Sequence, residues 1–197
     1  MGKAQGQKIE PGRVPGGDRL NTDVAVEFDN WYTLPADPIG LCVAAAGAAF
    51  ASALPHMKGG AFGGRSCETS VALTSDARID ELNREYRDRD GPTNVLSFAS
   101  LDVGELEALP PEAPVLLGDI IVAYETVERE AIAEGKAMTD HLTHMVTHGM
   151  LHLLGFDHIA DDDAAVMEEL ERDALAALGI ADPYLGPGPK PGGGTGS

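Results

Sequence analysis

Basic residues are scarce in this chain: 14 lysines and arginines stand against 32 aspartates and glutamates, for a net charge of −18. A nucleic-acid binder ordinarily advertises a basic surface that exchanges counterions with phosphates, so composition alone votes against RNA or DNA. The distribution qualifies the total. Acidic residues concentrate in 161–172, where DDD and EELERD read as a solvated helix face, whereas arginines gather at 84–89. Cysteine is scarcer still. Cys42 and Cys67 belong to no metal-type or redox-type motif and read as two small buried or half-buried thiols, which argues against a disulfide framework and for a reducing cytoplasm. No early segment joins a charged start to an apolar run and a cleavage site, so no export signal is expected. The longest apolar stretch, 39–54 between Pro38 and Pro55, is alanine-rich and falls short of the roughly 20 strongly apolar residues that span a bilayer; it reads as a core helix, with no membrane partner. The glycine-rich HMKGGAFGGRS lacks both the lysine-serine ending of a phosphate loop and the spacing of a dinucleotide fingerprint, leaving a linker.

What is present suits one domain of 197 residues, a length that buries about 70% of its unfolded surface. Residues 1–18 combine glycine, proline and scattered charge without periodicity and read as a flexible leader; 19–186 form the domain; 187–197 form a disordered tail. Alternating or continuous apolar patterns predict strands at 23–28, 68–73, 95–98 and 115–123. Helical patterns follow at 39–54, 77–86, 125–134, 139–154 and 162–178, with Thr74, Ser75 and Asp76 as cap residues for the second. Asp90-Gly91-Pro92 marks a turn, and 99–114 is an acidic, proline-containing excursion. The order predicts an α/β (α+β) fold, a small mixed four-stranded sheet covered by helices.

The chemistry concentrates in HMVTHGMLHLLGFDHIADDD, from His144 onward. His148 and His152 lie four residues apart, which on a helix puts both imidazoles on one face, one turn apart. Gly155 can take the left-handed conformation that ends a helix and reverses the chain, returning His158 as a third ligand. This is the ligand spacing of the long zinc-protease motif, H-E-x-x-H-x-x-G-x-x-H. The general-base glutamate of that motif is replaced by Gly149. Three neutral imidazoles leave a fourth position of a tetrahedral ion open to water, whose pKa falls to about 7 on catalytic zinc. Zinc is inferred from ligand type and availability, since nickel or copper suits the same ligands. Asp157 is either an orienting neighbour of the ligands or a turn residue. His141 and His144 fall outside the ligand set, because each four-residue step rotates a helix face by about 40°; His144 is read as a packed, hydrogen-bonded histidine, with a supporting or substrate-facing role as the alternative.

At HGMLHLLGFDH, LNREYRDRDGPTNVLSF, LGDI and ALGIADPYL the chain resembles the YbeY-type rRNA maturation factors, over most of residues 20–185. The resemblance implies a zinc-hydrolase-like metalloprotein with one Zn2+ on His148, His152 and His158. It implies a single-strand-specific endoribonuclease acting in 3′-end maturation of small-subunit (16S) rRNA and in ribosome quality control. Small ribosomal subunit proteins and an Era-type GTPase are the partners it suggests. The family's functional arginine corresponds to Arg87, placed with His148 in the catalytic set because a guanidinium can hold non-bridging phosphate oxygens bidentately. Asn94 and Ser97 are substrate-binding candidates, with a turn cap and a strand residue as the plainer readings. A metal-dependent peptidase and a non-catalytic assembly factor with a structural metal are the rival functions.

Overall fold

Strand β4 (Val115–Ala123), VLLGDIIVA, is the most apolar strand of the chain and takes an interior place in the sheet. The computed structural model describes residues 19–57, 62, 64–100, 110, 112–158 and 161–185; the leader, most of the acidic excursion, part of the glycine-rich loop and the tail lie outside them. Beside β4 lie β2 (Ser66–Thr74) and β3 (Val95–Ala99), and β1 (Arg19–Val26) pairs with β2, giving the order β1-β2-β4-β3. β1, β2 and β4 run parallel, while the edge strand β3 is antiparallel to β4. The expected mixed four-stranded sheet is therefore present.

Its helices are α1 (Pro38–Ala53), α2 (Asp76–Arg87), α3 (Tyr124–Glu134), α4 (Met138–Leu153) and α5 (Asp161–Ala177). Cys67, Thr69, Val71 and Leu73 alternate inward along β2, and with Val115, Ile120 and Val122 of β4 they face Phe50 of α1 and Leu142, Val146 and Met150 of α4, all but two fully buried. Each large aliphatic side chain in that set contributes roughly 1.5–3 kcal/mol over its exposed state. Trp31, fully buried, donates its indole N–H to the Thr74 carbonyl at 3.0 Å and meets the Tyr124 ring edge-on.

Four expectations need correction. β1 begins at Arg19, not at residue 23, because backbone pairing with β2 continues from Arg19↔Ser66 to Val26↔Leu73 whatever the polarity of RLNT; Phe28 has left the strand and packs on Tyr124. α1 with its 3₁₀ extension spans Pro38–His56, 19 residues of mean hydropathy 1.6, so length and composition alone do suffice for a membrane span. What marks it as a core helix is its packing: Cys42, Ala45, Ala46, Ala49, Phe50 and Ala53 are fully buried, and Ser52 donates to the Leu170 carbonyl of α5 at 3.3 Å. The glycine-rich loop is more than a linker, since Phe62 is buried in a stack on Phe50 with ring centroids 5.6 Å apart. The caps of α2 also differ. Ser75 is the N-cap but makes no side-chain bond, whereas Asp76 accepts from the backbone N–H and the hydroxyl of Thr126 in the first turn of α3, and Glu125 accepts from the Asp76 N–H at 2.7 Å. The two helix starts cap each other.

The LGDI glycine has a steric reason. At Gly118 the register slips between Glu68 and Thr69, φ is +132°, and a Cβ would lie 2.1 Å from the Phe98 carbonyl oxygen, so only glycine lets β3 and β4 close here.

Candidate metal centre

α4 is amphipathic in a way that fixes its ligands. Leu142, Met145, Val146, Gly149, Met150 and Leu153 turn inward, leaving His148 and His152 half-buried on the flank. Gly155 ends the helix with φ +87°, while Phe156 donates back to the Leu151 carbonyl at 3.1 Å and Gly155 to that of His152 at 3.0 Å. The expected chain reversal is therefore observed. It brings His158, exposed, into a cluster in which one nitrogen from each of His148, His152 and His158 lies within 4.8 Å of the others.

The hydrogen bonds around these rings decide their tautomers. His148 Nδ1 sits 2.7 Å from a Glu171 carboxylate oxygen, and His152 Nδ1 sits 3.0 Å from the Phe156 carbonyl oxygen. Both oxygens only accept, so both Nδ1 atoms carry hydrogen, and in the neutral rings the Nε2 atoms are then the bare lone pairs. Those two Nε2 atoms face each other at 3.0 Å. Neutral lone pairs so placed repel unless a cation lies between them, and two nitrogens on one tetrahedral ion stand about 3.4 Å apart for bonds of 2.0–2.1 Å. The donor set fits a divalent metal, with His148, His152 and His158 as its holders. Burial, then the neighbouring His148, keeps His152 below the ordinary imidazole pKa, which favours the neutral ring with a lone pair for a metal.

Glu171 is the residue that sequence reading missed. EELERD reads as a solvated face, yet Glu171 has no exposed surface. The signal lay in the spacing: Met167, Leu170, Glu171, Ala174 and Leu175 form the buried stripe of α5. Besides His148, His144 donates to Glu171 at 2.9 Å and the Tyr184 hydroxyl donates as well. Burial works to raise the carboxyl's pKa, but these three hydrogen bonds outweigh it and hold Glu171 well below the usual carboxylate range. Burial and the same carboxylate push the Tyr184 phenol above its usual value, so it remains a donor. His144 is thus packed and hydrogen-bonded, outside the ligand cluster. Asp157 is a turn residue, accepting from the His158 N–H at 2.7 Å.

Arg87 closes α2, where Asp88 takes a left-handed φ of 50°. Gly91 donates to Asp80 at 2.8 Å and Asn83 donates to the Gly91 carbonyl at 2.7 Å, so the loop after Arg87 is tied back to its own helix. Arg84, not Arg87, occupies the carboxylates of Asp80 and Asp90; among the described residues Arg87 has no acidic partner, and its guanidinium lies 6.0 Å from the centre of the Phe98 ring. Along β3, Ser97 alternates with Phe98 and faces α4, where its hydroxyl would lie 3.0 Å from a Cβ at Gly149. Asn94 has both ends of its amide engaged, accepting from Val95 N–H at 2.7 Å and donating to Glu130 at 3.0 Å, and Glu130 in turn bonds His141 at 2.9 Å. It shapes the loop and ties it to α4.

Gly149 also receives a reason. A Cβ there would sit 2.9 Å from Cγ2 of the fully buried Ile120 as well as against Ser97. Position 149 faces the sheet, so the glutamate of the protease motif has no room and a general base is not available from this position. Gly149→Ala should destabilise the fold by about 1–3 kcal/mol through overpacking, read as a lowered melting temperature in thermal denaturation.

The model of the family described as Endoribonuclease YbeY matches residues 48–179. An endoribonuclease YbeY from Azorhizobium caulinodans is 51% identical over 168 residues, which are 85% of this chain and 98% of that protein. The chain belongs to the endoribonuclease YbeY family. A relative of the same name from Rhodopseudomonas palustris is 44% identical over 84% of this chain and 81% of its own length, and one from Paramagnetospirillum magneticum is 56% identical over 59% of this chain and 71% of its own. The solution structure of TM1509 from Thermotoga maritima aligns at a TM-score of 0.48 and 20% identity, covering 83% of this chain and 99% of that one. Membership in this family makes the chain a nuclease of the hydrolase class with RNA as its substrate.

Proposed function

We propose that the chain is a zinc-dependent endoribonuclease that cuts single-stranded RNA in 3′-end maturation of 16S rRNA and in ribosome quality control. It works in the cytoplasm, beside small-subunit ribosomal proteins and an Era-type GTPase. The observation that supports this reading is the family match over 48–179, which spans both the histidine cluster and the Arg87 loop. His148, His152 and His158 would hold the metal, and a metal bound there would supply Lewis-acid chemistry.

The chain's own residues do the rest. His148 and His152 present bare Nε2 atoms held in place by Glu171 and by the Phe156 carbonyl. Cleavage of a phosphodiester builds negative charge on non-bridging oxygens, and the Arg87 guanidinium, free of acidic partners among the described residues, is a cation that can bind them. Handing Arg84 to Asp80 and Asp90 while leaving Arg87 clear of carboxylates among the described residues gives an acidic chain a local contact of the right sign. The test uses the purified chain on single-stranded and duplex RNA of one sequence. Single strands should be cut, duplex spared, and a chelator should abolish cutting until zinc is restored. Cutting that persists after verified removal of metal sinks this reading.

A further inference from the structure

Glu171 is an anion with no exposed surface and no lysine or arginine beside it among the described residues. A buried charge left to itself is expensive, and a fold that keeps one gives it hydrogen-bond donors. Here the donors come from three places: His148 Nδ1 at 2.7 Å, His144 Nε2 at 2.9 Å, and the hydroxyl of Tyr184, which lies beyond the end of α5. The segment carrying Tyr184 is itself secured. Lys136 donates to the Pro183 carbonyl at 3.0 Å, Tyr184 N–H donates to Asp182 at 2.9 Å, and the Arg172 guanidinium lies 5.7 Å from the centre of the tyrosine ring. The His144 ring meets the same tyrosine edge-on at 6.1 Å.

A carboxylate that only accepts leaves His148 one tautomer, Nδ1–H with Nε2 bare, and fixes the ring plane as well. We propose that Glu171 is the positioning residue for His148 as a metal ligand, and that Tyr184 secures Glu171, making the 180–185 segment a working part of the metal centre. The geometry supports a support chain from segment to carboxylate to ligand: Tyr184 holds Glu171, Glu171 holds His148, and His148 presents Nε2 to the ion. This inference rests on reading the three histidines as ligands, and its test separates the two.

Zinc affinity is measured by competition with a chromophoric chelator, and the visible absorption of the cobalt-substituted protein reports ligand geometry. Glu171→Gln should bind one zinc about 10- to 100-fold more weakly than wild type, with an altered cobalt spectrum and unchanged circular dichroism. Tyr184→Phe should weaken binding in the same direction by a smaller factor. Glu169→Gln, exposed on the same helix and outside this set of contacts, should match wild type. A Glu171→Gln protein with wild-type affinity and spectrum overturns the proposal while leaving the ligand reading intact; a wild type that binds no stoichiometric metal overturns both. Should Glu171→Gln not fold, nitrogen-15 shifts of His148 in metal-free wild type decide the matter. An Nδ1–H tautomer supports the proposal and an Nε2–H tautomer overturns it.

Discussion

His152→Ala should lose stoichiometric metal and, with it, RNA cleavage, while the protein stays folded. The affinity loss should exceed the roughly 10- to 100-fold that removal of a supporting residue causes, because here a ligand itself is gone. His152 is the cluster's central member: its ring is 4.5 Å from that of His148 and 5.1 Å from that of His158, and its Nδ1–H is pinned to the Phe156 carbonyl. Without it, the exposed His158 and the half-buried His148 do not make a site that retains an ion. The fold should survive, because the last turn of α4 keeps its backbone bonds to Gly155 and Phe156, and one carbonyl left without its imidazole donor costs about 1 kcal/mol. Metal content after dialysis, together with a thermal melt, checks both halves.

Acid should reproduce part of that loss in the wild type. His152 is held below its ordinary value of 6.5, first by burial and then by His148, so the folded protein binds fewer protons there than the unfolded chain does. The sign follows: below pH 6.5 the unfolded chain gains a proton that the folded one resists, so metal-free protein loses stability as pH falls from that value, whereas its ligand nitrogen stays available to lower pH than a free imidazole would.

Much of this was legible in the sequence because it follows from period and spacing. The four strands and five helices appear as expected, and HGMLHLLGFDH contains its own geometry: two ligands a turn apart, a glycine that must reverse the chain, and a third ligand after the reversal. What stayed hidden depends on tertiary partners. Gly149 reads as a missing base, but its cause is the approach of Ile120 and Ser97 from the sheet. Glu171 sits among acidic neighbours that truly are exposed or half-exposed, and only its place beside Leu170 in the stripe betrays burial. Phe62 looks stranded in glycine until Phe50 meets it from another element. Arg84 and Arg87 are indistinguishable as letters; one helical turn separates a residue that meets Asp80 and Asp90 from one that meets Phe98.

That last distinction yields the sharpest expectation for catalysis. Arg87→Ala should lower the rate of RNA cleavage by roughly 100- to 1,000-fold, the usual effect of deleting one donor aimed at developing charge. Metal content should remain at wild-type level, since Arg87 takes no part in the histidine cluster. Stability should change by no more than the 0.5–1 kcal/mol of an exposed cation–π contact, because the side chain is exposed and its one described contact is the Phe98 ring. The loop itself should hold, being tied by Gly91 to Asp80, by Asn83 to Gly91 and by Asn94 to Glu130, none of which uses Arg87. Arg87→Lys should recover only part of the rate, because a lone ammonium keeps the charge but cannot span two phosphate oxygens as a planar fork does. Single-turnover cleavage of a labelled single-stranded RNA, with metal content measured on the same preparations, separates the contributions. An alanine variant that cuts at the wild-type rate removes Arg87 from the mechanism, and a lysine variant as fast as arginine replaces bidentate binding with simple charge.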